Sequence, residues 1–192
     1  MEKKGAADKH EELIDVLTKE GTPTGEVKTR KDIHEQGLWH RIVHVWCVDA
    51  QSGELILQQR AADKMTNPNK WDVSAAGHVG HGESSLATAQ IELKEELGLV
   101  VPPEQFRFLG STPCSVTYHN GTYIDNEWQD LYLVELNEHV PISALTLQKE
   151  EVAGAKYLHY KEVERHYAEG DEAFVPHNDI EPLFAALHQR FP

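Results

Sequence analysis

Apolar residues recur at Leu86, Ala89, Leu93 and Leu97, spaced three and four apart, and this predicts a helix with one stripe turned to a core. Ser84 or Ser85 can cap its start, and Gly98 supplies a left-handed stop. Apolar and β-branched runs predict strands at roughly 41–49 and 54–60, near 72–79, and at 106–109, 115–118, 127–136 and 155–158. Residues 160–168 and 179–190 read as helices, the second carrying Ile180, Leu183, Phe184 and Leu187 at helical spacing. Upstream, LIDVLTKEGTPTGEVKTR reads as a β-hairpin turned between Gly21 and Gly25. This order of strands and helices predicts an α/β protein with a mixed β-sheet. Residues 1–9 read as a disordered tail and 10–192 as one domain, in which 10–37 form the N-terminal hairpin extension.

Composition narrows the function classes. A chain of 192 residues with 40% hydrophobic content can bury a full core, and no repeat or low-complexity linker divides it. A net charge of −14 argues against nucleic-acid binding, because an acidic surface repels phosphate backbones. The start of the chain is charged and no run approaches a membrane span, so a soluble, cytoplasmic protein without membrane partners is expected. Cys47 and Cys114, far apart in the chain, give no disulfide framework and read as packed free thiols. Trp39, Trp46, Tyr118, Tyr123 and Trp128 could flank a ligand, but Trp46 and Trp71 are expected in the core.

The predicted helix also carries chemistry. At about 100° per residue, Glu92, Glu95 and Glu96 fall on one arc roughly 100° wide. Carboxylates this close repel one another unless a cation sits among them, and clustered oxygens suit Mg²⁺ or Mn²⁺. Magnesium usually completes its octahedron with substrate phosphates, so the site reads as half of a diphosphate site. A solvated acidic helix face explains three glutamates, but not Gly77 and Glu83 at fixed distances before them.

Gly77, Glu83, Glu92, Leu93, Glu95, Glu96, Gly98 and Leu99 match the spacing of the Nudix box, so the chain resembles the Nudix hydrolase superfamily over roughly residues 12–165. The resemblance implies an α/β/α sandwich, a box at 77–99, and an enzyme that cleaves phosphoanhydrides with Mg²⁺ or Mn²⁺ as cofactor. Glu92, Glu95 and Glu96, with Gly77, would hold the metal. Ile91 stands where the family has arginine, which implies weaker activity or another cation in that role. The segments 38–49, 54–79 and 125–134 are most similar to the branch containing isopentenyl diphosphate isomerase. By that resemblance His34, His40, His78, Asp125 and Glu127 stand where the isomerases bind a metal. The isomerases' cysteine before Gly-His is replaced by Ala76, and the box glutamates are kept, so both differences point from isomerase to hydrolase.

A hydrolytic mechanism also needs a general base. Candidates are Glu95, Glu127 with Asp130, and Glu150 or Glu151; Arg60, Lys64, Lys70 and His78 are candidates to contact the substrate. The expected partner is a small-molecule diphosphate, a nucleoside diphosphate or derivative. The alternatives are an isomerase-like enzyme and a non-catalytic diphosphate-binding sensor. The N-terminal hairpin and acidic C-terminal segment could build a homodimer.

Overall fold

The structure, a computed structural model, describes residues 10–192, and the tail expected at 1–9 lies outside them. In chain order the described elements are β1 (Leu13–Leu17), β2 (Pro23–Thr29), α1 (Arg30–Gln36), β3 (Trp39–Asp49), β4 (Glu54–Arg60), β5 (Trp71–Asp72), β6 (Ala75–His78), α2 (Ser85–Leu97), β7 (Phe106–Tyr118), β8 (Tyr123–Leu136), β9 (Val152–His159), α3 (Tyr160–Glu169) and α4 (Glu181–Arg190).

β3 is the axis of the sheet. It runs parallel to β8 in unbroken register from Trp39↔Asn126 to Asp49↔Leu136. Its other edge forks. Cys47 and Val48 pair with Ile56 and Leu55 of β4, whereas Ile42 to Val45 pair with His78 to Ala75 of β6. β4 meanwhile pairs with β5 through Gln58↔Asp72 and Gln59↔Trp71, and with β9 along its length. Residues 71–78 are thus wedged between two strands that have separated.

Ser74 sits at the point of the fork, fully buried. Its Oγ accepts from Cys47 N at 2.8 Å and donates to Ile56 O at 2.5 Å, so one hydroxyl serves both backbones where their own ladder ends. Ser74→Ala leaves two buried backbone groups unpaired and is expected to cost about 2–4 kcal/mol, read as a lower urea midpoint at unchanged slope.

Alternation along each strand feeds two cores. Val43, Val45 and Cys47 of β3, with Tyr132 and Val134 of β8, pack against Ala89, Leu93 and Leu97 of α2. On the opposite face Trp46, Leu55, Leu57, Leu131 and Leu133 pack against Tyr160 and Val163 of α3 and Leu183 and Leu187 of α4. This is the expected α/β/α sandwich. Trp46 is fully buried and Trp71 packs against the same cluster, beneath the Lys156 ammonium at 4.0 Å.

Three local expectations are corrected. The extension at 10–37 is a hairpin followed by a short helix, because Thr29 and Asp32 cap α1: Thr29 Oγ1 accepts from Asp32 N and donates to Asp32 Oδ2. Gly37, at φ 63°, ends that helix. The strands expected at 106–109 and 115–118 are one strand, continued through a register shift between Phe108 and Gly110. β8 starts four residues early, at Tyr123, which puts Asp125 and Glu127 on a strand two residues apart and so on one face.

Candidate active site

The fork opens a cavity of about 960 Å³, lined among others by Glu92 and Glu96 of α2, Gly77 and His78 of β6, His34 of α1, and Asp125 and Glu127 of β8. The two glutamates reach it because the backbone beside them is bare. A Cβ on Gly77 would stand 2.1 Å from Glu92 Oε1, so only glycine admits that carboxylate against β6. Glu96, 4% exposed, accepts through Oε2 from Ala76 N and from Gln58 Nε2, both at 3.1 Å. Neutral donors from β6 and β4 orient it, while Ile91 at the box's arginine position is exposed. Glu83 accepts from Thr88 Oγ1 at 3.0 Å, which ties the loop to α2.

Glu95 lies apart from the other two box glutamates. It is exposed and does not line the cavity, so the helix aims two of its three glutamates at the site. The one-arc estimate gave direction around the helix but not the position of the sheet fork, which only Glu92 and Glu96 face.

Beside these acids stands an imidazole cluster. The candidate ligand atoms of His34, His40 and His78 lie within 4.8 Å of one another, with His78 Nε2 3.1 Å from His34 Nε2. Asp125 Oδ1 is 3.1 Å from His34 Nε2 and Glu127 Oε1 is 4.0 Å from His40 Nε2. Neither contact is a well-aligned hydrogen bond: His40 Nε2 and Asp125 Oδ1 are buried without one. Burial pushes the His40 imidazole down to about 4, and pushes His78 well below the usual histidine range, so both rings are held neutral. Burial, with Asp125 beside it, pushes the Glu127 carboxyl up to about 7, although Gln129 donates to its Oε2 at 2.9 Å. Neutral imidazoles facing two close carboxylates are what a divalent cation requires, so the residues fit one.

Among the other expected residues, Arg60 lines the cavity, but its Nη1 is bound to Asp72 Oδ2 at 2.9 Å and its Nη2 to Thr66 O at 3.0 Å. Lys64 lines it as an ion pair with Glu151, and Glu150 lines it too. Lys70 lies outside the cavity lining, and its carbonyl accepts from Arg60 N at 2.9 Å. Asp130 points to the opposite face of β8 from Glu127 and is bound by Arg41 and Ser111. It is therefore no base for this cavity. Tyr118 and Tyr123 do line it, and Tyr123 stacks on His34 at 4.4 Å between centroids.

Sequence reasoning missed the residues of one cavity wall. Cys114, expected as a packed thiol, is half-buried, lines the cavity and pairs with Glu127 across β7 and β8. Burial and Glu127 push it up to about 11, which keeps the thiol protonated. On the same wall His44 Nδ1 binds Asp179 Oδ2 at 2.8 Å and His177 Nε2 binds Asp72 Oδ1 at 2.7 Å. Burial opposes a charge on His44, but Asp179 outweighs it and raises that imidazole to about 9. Being raised, it contributes stability that is full below pH 6.5 and lost as pH rises through 9. In chelator, the urea midpoint is therefore expected to fall across that window, and to fall less in His44→Gln. The signal for this group was the short spacing of His177 and Asp179, which had no motif to attach to.

Comparison with known proteins gives the family. The family model described as NUDIX domain matches residues 38–177. The chain is 41% identical over 183 residues to Nudix hydrolase 3 of Arabidopsis thaliana, covering 94% of this chain but only 24% of that protein. It is 34% identical to an uncharacterised Nudix hydrolase of Listeria monocytogenes, over 88% of this chain and 92% of the relative. It is 38% identical to an isopentenyl-diphosphate Δ-isomerase of Serratia proteamaculans over 55% of each chain. In fold it is similar to a Deinococcus radiodurans crystal structure at a TM-score of 0.62 and 18% identity, covering 94% and 100% of the two chains. Nudix hydrolases generally need a divalent metal. On the matched family model and these relatives, the chain belongs to the Nudix hydrolase family.

Proposed function

We propose that the chain is a Mg²⁺- or Mn²⁺-dependent hydrolase that cleaves the phosphoanhydride of a small diphosphate, a nucleoside diphosphate or derivative. The observation that carries this reading is the meeting of Glu92 and Glu96 beside the bare backbone of Gly77, inside a cavity large enough for such a molecule. Glu92 and Glu96, with the Gly77 backbone, would hold one cation; His34, His40, His78, Asp125 and Glu127 would hold another. Divalent cations bound there would neutralise charge on the phosphate oxygens and acidify the attacking water.

The chain's own groups do the rest. Gln58 and Ala76 N fix Glu96, so the carboxylate is oriented before substrate arrives. Glu150 and Glu151 on the cavity wall, and Glu127 where the second cation leaves it unbound, are the candidates to accept the water's proton. Lys64 stands at the cavity wall to meet the outer phosphate, and Glu150 and Glu151 flank it. Tyr118 and Tyr123 offer apolar faces to the remainder of the substrate.

An isomerase-like reading is favoured by the imidazole cluster and opposed by Ala76, which lines the cavity where the isomerases' cysteine would stand. Cys114 offers a thiol on another strand, across from Glu127. Incubation of nucleoside diphosphates, their sugar derivatives, dinucleotides and isopentenyl diphosphate with Mg²⁺ or Mn²⁺ separates the readings. Phosphate or nucleotide release that is lost in Glu96→Gln supports the hydrolase, by about 10³-fold or more. Rearrangement of isopentenyl diphosphate without phosphate release would establish the isomerase, and binding without turnover the sensor.

A further inference from the structure

We propose that His44, His177 and Asp179 form a separate transition-metal site, for an ion of the Zn²⁺ or Co²⁺ class, in the wall of the same cavity. Their candidate ligand atoms all lie within 4.8 Å of one another, and the set shares no residue with the box acids or the imidazole cluster. His44 comes from β3, whereas His177 and Asp179 come from the segment leading into α4. His44 and His177 line the cavity, so an ion that displaces the proton His44 shares with Asp179, releasing it to solvent, can take water or substrate as its remaining ligands.

Two observations point to an ion rather than to a structural ion pair. Asp179 is 1% exposed, and its Oδ1 has no hydrogen-bond partner. A proton on His44 serves only Oδ2, at 2.8 Å, so the pair alone leaves an acceptor buried and unmet. Facing that oxygen at 3.9 Å is His177 Nδ1, too far for a hydrogen bond. Two ligands each about 2.0–2.2 Å from one ion are separated by at most about 4.4 Å, so an ion can bridge them.

The second observation is the outer partner of His177. Its Nε2 is 2.7 Å from Asp72 Oδ1, and Asp72 Oδ2 is held by Arg60 at 2.9 Å. This places the proton on Nε2 and turns the Nδ1 lone pair toward Asp179, the carboxylate–histidine arrangement that orients a metal-ligating imidazole. Two imidazoles and one carboxylate favour Zn²⁺ or Co²⁺ over Mg²⁺, which prefers oxygen ligands and its own waters. The wall would therefore select a different ion from the box glutamates.

Crystals of the wild-type protein loaded with Zn²⁺ and measured at the zinc edge give the direct test. An anomalous peak among His44, His177 and Asp179 supports the site. No peak there overturns it, whatever is seen at His34, His40 and His78, and leaves an imidazolium–carboxylate pair. In solution, Co²⁺ is titrated by calorimetry and visible absorption into wild type, His177→Gln, Asp179→Asn and Asp72→Asn. Loss of one Co²⁺ equivalent in either of the first two variants, with the folded circular-dichroism spectrum kept, is expected; unchanged stoichiometry overturns the proposal. Asp72→Asn is expected to weaken the same equivalent about 10–100-fold. If a variant fails to fold, the wild-type anomalous map decides.

Discussion

Replacing Gly77 with alanine is expected to lower kcat by at least about 100-fold while the thermal midpoint moves little. The added methyl would stand 2.1 Å from Glu92 Oε1 and 2.5 Å from Glu92 Cγ, so the side chain must leave its place against β6. Glu92 is only half-buried, and solvent can take the displaced carboxylate, which limits the cost to folding. Catalysis has no such outlet, because a displacement of about 1 Å in a positioned group already costs about 10²-fold. Steady-state kinetics at saturating Mn²⁺, beside differential scanning calorimetry, separate the two effects. An alanine variant with wild-type kcat would show that Glu92 does not act from the position described.

Glu127→Gln is expected to lower kcat by about 10²–10⁴-fold, whether the carboxylate acts as general base or as cation ligand, and to raise the stability of the metal-free protein. The two effects have one origin. Glu127 is buried beside Asp125, so ionising it in the folded chain is costly, and its carboxyl rises from 4.5 to about 7. Between those values the folded state keeps a proton that the unfolded chain releases, so stability falls as pH rises from 4.5 to 7 and then levels. The amide keeps the shape and removes that fall. Urea midpoints in chelator from pH 4 to 8 are expected to slope downward for wild type and much less for the variant, against the direction of the activity change. A parallel slope in both proteins would assign the raised carboxyl to a different group.

Much of this arrangement was legible in the sequence because it is local. Helix α2 announced itself through its apolar stripe, its Ser84 cap and Gly98, and the box spacing brought Gly77 and Glu92 onto the page together. Strand parity would also have separated Asp130 from Glu127, three residues apart and so on opposite faces, although the sequence reading grouped the two as candidate bases. What remained hidden depended on tertiary placement. Glu95 and Glu96 are neighbours in the chain, but only Glu96 meets Ala76 N and Gln58, and nothing local distinguishes them. Lys64 and Lys70 likewise look alike in their loop; the ion pair with Glu151 and the cavity belong to Lys64 alone. Helix α1 was too short to show a period, although the Thr29 and Asp32 cap could have revealed it. His44 and His177 could not be paired from sequence, because the contact joins β3 to the segment before α4.

The unbroken parallel register between β3 and β8 also sets when the site can exist. His40 faces Glu127 across that ladder, so these two candidate ligands meet only after a closure spanning much of the chain. Closure over such a separation is entropically costly and slow, and local helices form long before it. During synthesis α2 can present Glu92 and Glu96 while β8 is still unmade. Under the assignment proposed above, a metal held jointly by His40 and Glu127 would mark the closure of β8 onto β3, and a truncated or misregistered chain would carry the box without that second site.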